Sequence, residues 1–183
     1  MLLAYDSGHG TYKVGSAIYA SLMGTVEITN KLIMVNPIKS KYSPQIGDIV
    51  VGRIVEISNK RWKVDINASS FGFLNLNSAY MSEQRKKNQE DEFNMRKIMQ
   101  EGDIIVAEVQ SSNNDKTVNL HTRNPKYGKL EPGVLLEVPH KLVKKQKHHM
   151  ICINGVGIVM GNNGNIWLSG LNRTAKETDM KEM

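Results

Sequence analysis

Gly47-Asp48-Ile49-Val50-Val51-Gly52-Arg53-Ile54 and Gly102-Asp103-Ile104-Ile105-Val106-Ala107-Glu108-Val109 share one frame: Gly-Asp, an apolar run, and a small residue at the sixth position. β-Branched residues dominate both runs, which is strand chemistry. Two shorter candidate strands, residues 61–66 and 71–76, lie between them, and another, residues 118–123, follows. A charge-rich stretch, residues 82–100, intervenes before the fourth strand. It reads as a helical insertion whose apolar face is Phe93, Met95, Ile98 and Met99. Five short strands with one helical insertion after the third is the layout of an OB barrel. Gly52 and Ala107 suit the sharp bends where a closed barrel coils. Patterning alone supports a small β-barrel more firmly than an OB barrel in particular.

Upstream, Gly8-His9-Gly10-Thr11-Tyr12 reads as a loop, and residues 17–35 read as strands. Ile18, Ala20 and Leu22 alternate with polar or small neighbours, and Val26 and Ile28 resume the pattern after Gly24. Asn30-Lys31 suits a hairpin turn, and Pro37 and Pro44 punctuate a basic connector carrying Lys39 and Lys41. Residues 1–45 are therefore expected to form a small β domain and residues 46–124 the barrel. Downstream, residues 133–138 predict a strand, and Pro139 suits the first turn of a short helix. Leu142 and Val143 would face inward on that helix, with Lys141, Lys144, Lys145 and Lys147 outward. Residues 151–160 and 165–168 flank Gly161-Asn162-Asn163-Gly164, a hairpin signal. Residues 125–170 thus form a third region, and the charged residues 171–183 are expected to be a mobile tail.

The 183 residues leave room for two or three small domains, and 40% hydrophobic content suffices for packed cores. A net charge of +6 points to an acidic partner, of which nucleic acid is the commonest. Cys152 is the only cysteine, which excludes an intrachain disulfide and a zinc site built from thiolates, and fits a reducing compartment. The longest apolar runs are too short to cross a bilayer, and the start lacks a basic stretch followed by an apolar one. No membrane partner is expected.

Catalysis has no candidate residues. Glu90, Asp91 and Glu92 are consecutive and would point in different directions on a helix, so they read as a solvated face rather than a metal site. His148, His149 and Cys152 lack a fourth ligand and the paired spacing of zinc sites. No phosphate-cradling loop, nucleophile elbow or kinase signature is present. The chain is read as non-enzymatic, with no cofactor, no metal and no small-molecule substrate.

Single-stranded nucleic acid is bound on OB barrels by a cationic groove with aromatic platforms, each stacked base contributing about 1–3 kcal/mol. The candidates are Lys60, Arg61 and Lys63 on the second strand, Phe71 and Phe73 on the third, and His121 and Arg123 on the last. Trp62 alternates with Arg61 and Lys63, so either Trp62 is buried and the basic pair exposed, or the reverse; the alternation favours a buried Trp62. A second basic surface spans residues 140–149, with Lys144 and Lys145 as candidate phosphate contacts.

Several of these stretches resemble one family, the ribosomal RNA-processing protein four family of RNA exosome cap subunits. Gly8-His9-Gly10-Thr11-Tyr12, Val26-Glu27 and Asn30-Lys31-Leu32-Ile33 look like its N-terminal β domain. Gly47-Asp48-Ile49-Val50-Val51-Gly52-Arg53-Ile54, Lys60-Arg61-Trp62-Lys63-Val64, Ala107-Glu108-Val109-Gln110, Leu120-His121-Thr122-Arg123 and Lys126-Tyr127-Gly128-Lys129-Leu130 resemble its OB barrel, the S-one domain. Gly161-Asn162-Asn163-Gly164-Asn165-Ile166-Trp167 looks like its KH-region signature.

The resemblance implies a mainly β chain: an N-terminal β domain, a five-stranded OB barrel, and a partial KH-like α+β region. It implies a non-catalytic RNA-binding subunit in the nucleus and nucleolus, and also the cytoplasm. The subunit would stabilise the exosome ring and guide RNA into it for 3′–5′ degradation and rRNA processing. Its partners would be single-stranded RNA, the RNase-PH-like ring subunits and the other cap subunits. In a typical KH domain the Gly-x-x-Gly loop joins two helices and grips RNA. Here Gly161, Asn162, Asn163 and Gly164 read as a turn between strands, so a role in the fold or at an interface is expected. Family members continue past the tryptophan with helices, whereas only the unlike residues 168–183 follow Trp167, so the KH unit is expected to be incomplete. The alternatives are a free-standing OB/KH RNA-binding module, which would not need the N-terminal β unit, and a nuclease in its own right.

Overall fold

In a computed structural model of the chain, which describes residues 5–58, 60–80, 93–112, 117–146 and 148–170, the polypeptide divides into two units, residues 1–40 and 41–183. The first contains β1 (Asp6–Ser7), β2 (Thr11–Val14), β3 (Ala17–Ala20), β4 (Gly24–Thr29) and β5 (Leu32–Pro37). β4 and β5 pair antiparallel, β1 adds in parallel to the far edge of β5, and β2 and β3 form a separate hairpin. Asn30 turns the chain between β4 and β5 at φ 57°, a conformation that asparagine tolerates better than most residues. Thr11 and Tyr12 belong to β2 rather than to the expected loop. The Thr11 hydroxyl lies 2.9 Å from the Gly8 carbonyl and 3.1 Å from that of Ile33, which ties the strand start back to β5.

The barrel of the second unit comprises β6 (Ile49–Ser58), β7 (Arg61–Asp65), β8 (Gly72–Asn75), β9 (Ile104–Ser112) and β10 (Val118–His121), with a one-turn helix, α1 (Met95–Ile98), before β9. The strand order β10-β8-β7-β6-β9 closes through a β9–β10 pairing. β8 and β10 run parallel and the other barrel pairs antiparallel. Period-two alternation fills the interior. Trp62, Leu74, Leu120 and Val109 lie in one register row and are all buried. The expected burial of Trp62 is observed, and its indole Nε1–H donates to the Met99 carbonyl at 3.0 Å. Met95 and Met99 cap the interior, but Phe93, expected on the same apolar face, is 90% exposed. Residues 82–92, including Glu90, Asp91 and Glu92, lie outside the described residues, as does the tail, residues 171–183.

The two Gly-Asp frames fold alike. Gly47 and Gly102 take φ values of 83° and 93°. The Asp48 carboxylate accepts the Gln45 amide at 3.1 Å, and that of Asp103 accepts the Gln100 amide at 2.9 Å. Each frame then bonds the other strand's far end: Gly47 N–H to the Val109 carbonyl and Val109 N–H to the Asp48 carbonyl, Gly102 N–H to the Ile54 carbonyl and Ile54 N–H to the Asp103 carbonyl. A lysine meets each aspartate, Lys145 at 2.9 Å from Asp48 and Lys129 at 2.8 Å from Asp103. The shared frame read in the sequence is thus a pseudo-symmetric clasp of β6 on β9.

Beyond the barrel, β11 (Gly128–Lys129) extends β9. Then β12 (Val134–Glu137), β13 (Met150–Ile153), β14 (Val156–Met160) and β15 (Asn165–Gly170) form an antiparallel sheet of order β12-β15-β14-β13. Its Val159 and Trp167 pack against Ile49, Val51, Ile104 and Val106, the outward residues of β6 and β9. That second contact explains why both strands read as continuous apolar runs: they are buried on both faces. Two expectations are corrected here. Residues 151–160 are not one strand but two, split by an Asn154-Gly155 turn with both φ values positive. The helix expected after Pro139 is a single 3-10 turn, His140–Leu142, and Leu142 is 73% exposed rather than inward-facing. Lys145 is exposed, as expected, and its ammonium reaches Asp48. The region is a sheet with one 3-10 turn, and no α-helix falls among its described residues.

Candidate nucleic-acid interface

Inward Trp62 forces Arg61 and Lys63 to the outside of the barrel, where register sets Lys63 beside Phe73 and Arg61 beside Asn75. The Arg61 guanidinium lies 4.5 Å from the centre of the Phe73 ring, and the Lys63 ammonium 4.6 Å from that of Phe71. These are cation–π distances, which hold the rings and the charges as two adjacent pairs. Lys63 also bonds Glu56 at 3.2 Å, while Phe71 keeps 43% of its surface exposed. Lys60 sits in the β6–β7 turn at φ 63°, exposed.

On the neighbouring strand, Asn119 pairs with Phe73, so His121, two residues on, shares the same outward face. Its Nε2 lies 3.9 Å from a Glu108 carboxylate oxygen. Two buried nitrogens on this face, Arg61 Nε and His121 Nδ1, lack a hydrogen-bond partner among the described residues. Buried polar atoms ordinarily have one. Arg123 is exposed just past the end of β10. Asn75 and Asn119 are polar neighbours that sequence reading passed over; the alternation of β8 and β10 was the signal that places them outward. The Asn119 amide donates to the Ser111 hydroxyl at 3.0 Å.

Lys144 and Lys145 are not part of this face; both lie in the segment between the 3-10 turn and β13. Asp48, which Lys145 meets, is buried, and its burial would push its carboxyl up. Hydrogen bonds from Lys145, the Tyr42 hydroxyl and the Gln45 amide overcome that, and the group lies below the ordinary carboxylate range. Burial and Asp48 together push the Tyr42 hydroxyl well up. Burial and then Lys141 lower His140.

The Gly161–Gly164 turn faces inward. Pairing with β7 begins only at Arg53, so the edge of β6 from Ile49 to Val51 needs other partners. Asn162 exchanges bonds with Ile49: its backbone N–H donates at 2.7 Å and its side-chain oxygen accepts at 3.0 Å. The Asn163 amide donates to the Val51 and Ile66 carbonyls, both at 2.8 Å, and its oxygen accepts the Val51 N–H at 3.3 Å. Asn165 donates to the same Val51 carbonyl. Gly161 leaves no room for a side chain, since an added Cβ would lie 2.2 Å from Asn163 Oδ1. Among the described residues no cluster of His, Cys, Asp and Glu could hold a metal ion.

Residues 41–111 match the family model described as "RRP4, S1 domain". The chain is 48% identical to exosome complex component rrp4 of Schizosaccharomyces pombe over 88% of its length and 50% of the relative's. It is 48% identical to exosome complex component RRP4 of Mus musculus over 88% of its length and 56% of the relative's. Against exosome complex component Rrp4 of Thermococcus kodakarensis it is 33% identical, covering 92% of itself and 67% of that protein. The chain belongs to the Rrp4 family. As an Rrp4-family chain it spans about half the length of the eukaryotic relatives named here. A crystal structure 22% identical to it matches with a TM-score of 0.54, over 73% of this chain and 78% of the other, a likeness of fold.

Proposed function

We propose that the chain is a non-catalytic RNA-binding cap subunit of the RNA exosome. In this reading it steadies the RNase-PH-like ring and guides single-stranded RNA toward 3′–5′ degradation and rRNA processing in the nucleus, nucleolus and cytoplasm. The observation that carries it is the outward face of β7 and β8, where Lys63 meets Phe71 and Arg61 meets Phe73 in an Rrp4-family barrel. A base stacks on the open Phe71 ring while the cations beside it meet the flanking phosphates, and Arg123 extends the positive track. Nothing in this mechanism makes or breaks a bond: the face holds and directs the strand, and other subunits cut it.

Residues 1–45 supply the contact with the ring, using exposed apolar side chains such as Val26 and Ile28. The asparagine turn serves the fold, since its side chains are consumed on β6. A tagged pull-down with mass spectrometry tests the assembly. Recovery of the ring subunits in near-equal amounts is expected. Recovery of RNA or ribosomal proteins without the ring would favour a free-standing RNA-binding module instead.

A further inference from the structure

We infer that the cleft between the barrel and the four-stranded sheet is a second RNA subsite, holding one nucleotide of the strand that leaves the barrel face. The inference rests on the barrel reading above. The cleft measures about 330 Å³. That is at the lower end of the ~300–1,000 Å³ range of small-ligand sites, and about right for a single nucleotide.

Its chemistry suits a base and its phosphate. Ile49, Met150 and Tyr127 line it with apolar surface, and Gln146 adds an amide able both to donate and to accept. His149 is buried and its Nδ1 lies 2.7 Å from the Met160 carbonyl. A carbonyl only accepts, so Nδ1 carries a proton, which fixes the orientation of a ring that lines the cleft. Lys145 also lines it, but its charge is balanced by Asp48, which leaves Lys126, exposed at the rim, as the cation for a phosphate.

Among the described residues Glu108 is the one carboxylate lining the cleft, and it links the two sites. Its oxygen lies 3.9 Å from His121 on the outward barrel face, and it accepts the hydrogen bond of Tyr127, whose hydroxyl burial and Glu108 push up. Glu108 thus lies between His121 and Tyr127, and a strand lying on Phe71 and Phe73 passes over His121 into the cleft.

The test compares two RNAs, of about four and about ten nucleotides, within the range of site sizes on OB barrels. Gln146→Trp fills the cleft without changing charge, Lys126→Met removes the rim cation, and Phe71→Ala strips the barrel platform. Fluorescence anisotropy should show Gln146→Trp and Lys126→Met weakening the longer RNA by about threefold to tenfold, with the shorter one unaffected. Phe71→Ala should weaken both. Wild-type binding of the longer RNA by Gln146→Trp would overturn the cleft subsite while leaving the barrel reading intact. Equal weakening of both lengths by Gln146→Trp would overturn it too, since the change would then act on the barrel. Unchanged binding of both RNAs by Phe71→Ala would remove the barrel reading itself.

Discussion

At Asp48 three donors converge on one buried carboxylate: the Tyr42 hydroxyl at 2.7 Å, the Gln45 amide at 3.1 Å and the Lys145 ammonium at 2.9 Å. Its folded pKa lies below the unfolded value, so its stabilisation is present above the ordinary carboxylate range and is lost as pH falls through the lowered value. Asp48→Asn should therefore destabilise the second unit by about 1–3 kcal/mol at pH 7. The gap to wild type should close as urea unfolding is repeated toward pH ~3, whereas a gap independent of pH would assign the loss to packing alone. Asn163 carries a comparable load without charge. Asn163→Ala strands two backbone groups, the Val51 N–H and the Ile66 carbonyl, while Asn165 still serves the Val51 carbonyl; it should cost about 2–4 kcal/mol, and Asn163→Asp should do no better because a carboxylate cannot donate to the Ile66 carbonyl. Chemical denaturation of the two variants side by side measures this, and a well-tolerated Asn163→Asp would contradict it. The Gly-x-x-Gly turn was legible in the sequence, but the task of its asparagines was not. Their partners lie 97 to 113 residues away, and no local pattern encodes that pairing.

Among elements, β6 and β9 were the most readable because two signals coincide in each, a Gly-Asp turn and a β-branched run. Their double burial was visible as unbroken apolarity, although its cause, a second sheet packed outside the barrel, was not. Gly52 was read as a bend residue, and space is what it supplies: an added Cβ would sit 2.6 Å from Val64 Cγ1 and 2.7 Å from the Asp65 carbonyl oxygen. Gly52→Ala should lower stability by about 1–3 kcal/mol, seen as a drop in Tm of the second unit, and an unchanged Tm would mean that β6 and β7 separate without cost. The strand's bulge falls elsewhere, between Ile54 and Glu56, where no sequence signal stood out. Of the apolar stripe read in the insertion, Met95 and Met99 enter the core while Phe93 stays out of it. Of the candidate interface, strand alternation alone assigned Arg61 and Lys63 to the outside once Trp62 was placed inside. The pairing of each cation with one particular ring depends on cross-strand register, which composition and periodicity leave open.

On the scale of the whole molecule, a net charge of +6 gives attraction to any polyanion, and the barrel face supplies a place for it to act. The two contributions separate in a salt titration, because a specific cationic track sets the slope of affinity against salt while stacking sets much of the remainder. The most direct test of RNA capture by this face is binding of single-stranded RNA across a salt series, for wild type and for the triple variant Arg61→Ala, Lys63→Ala, Arg123→Ala. The variant should bind more weakly, and its log–log salt slope should be shallower by about two, as expected for three lost contacts to single-stranded phosphate. Affinity and slope both unchanged in the triple variant would contradict the assignment of RNA binding to this face of the barrel.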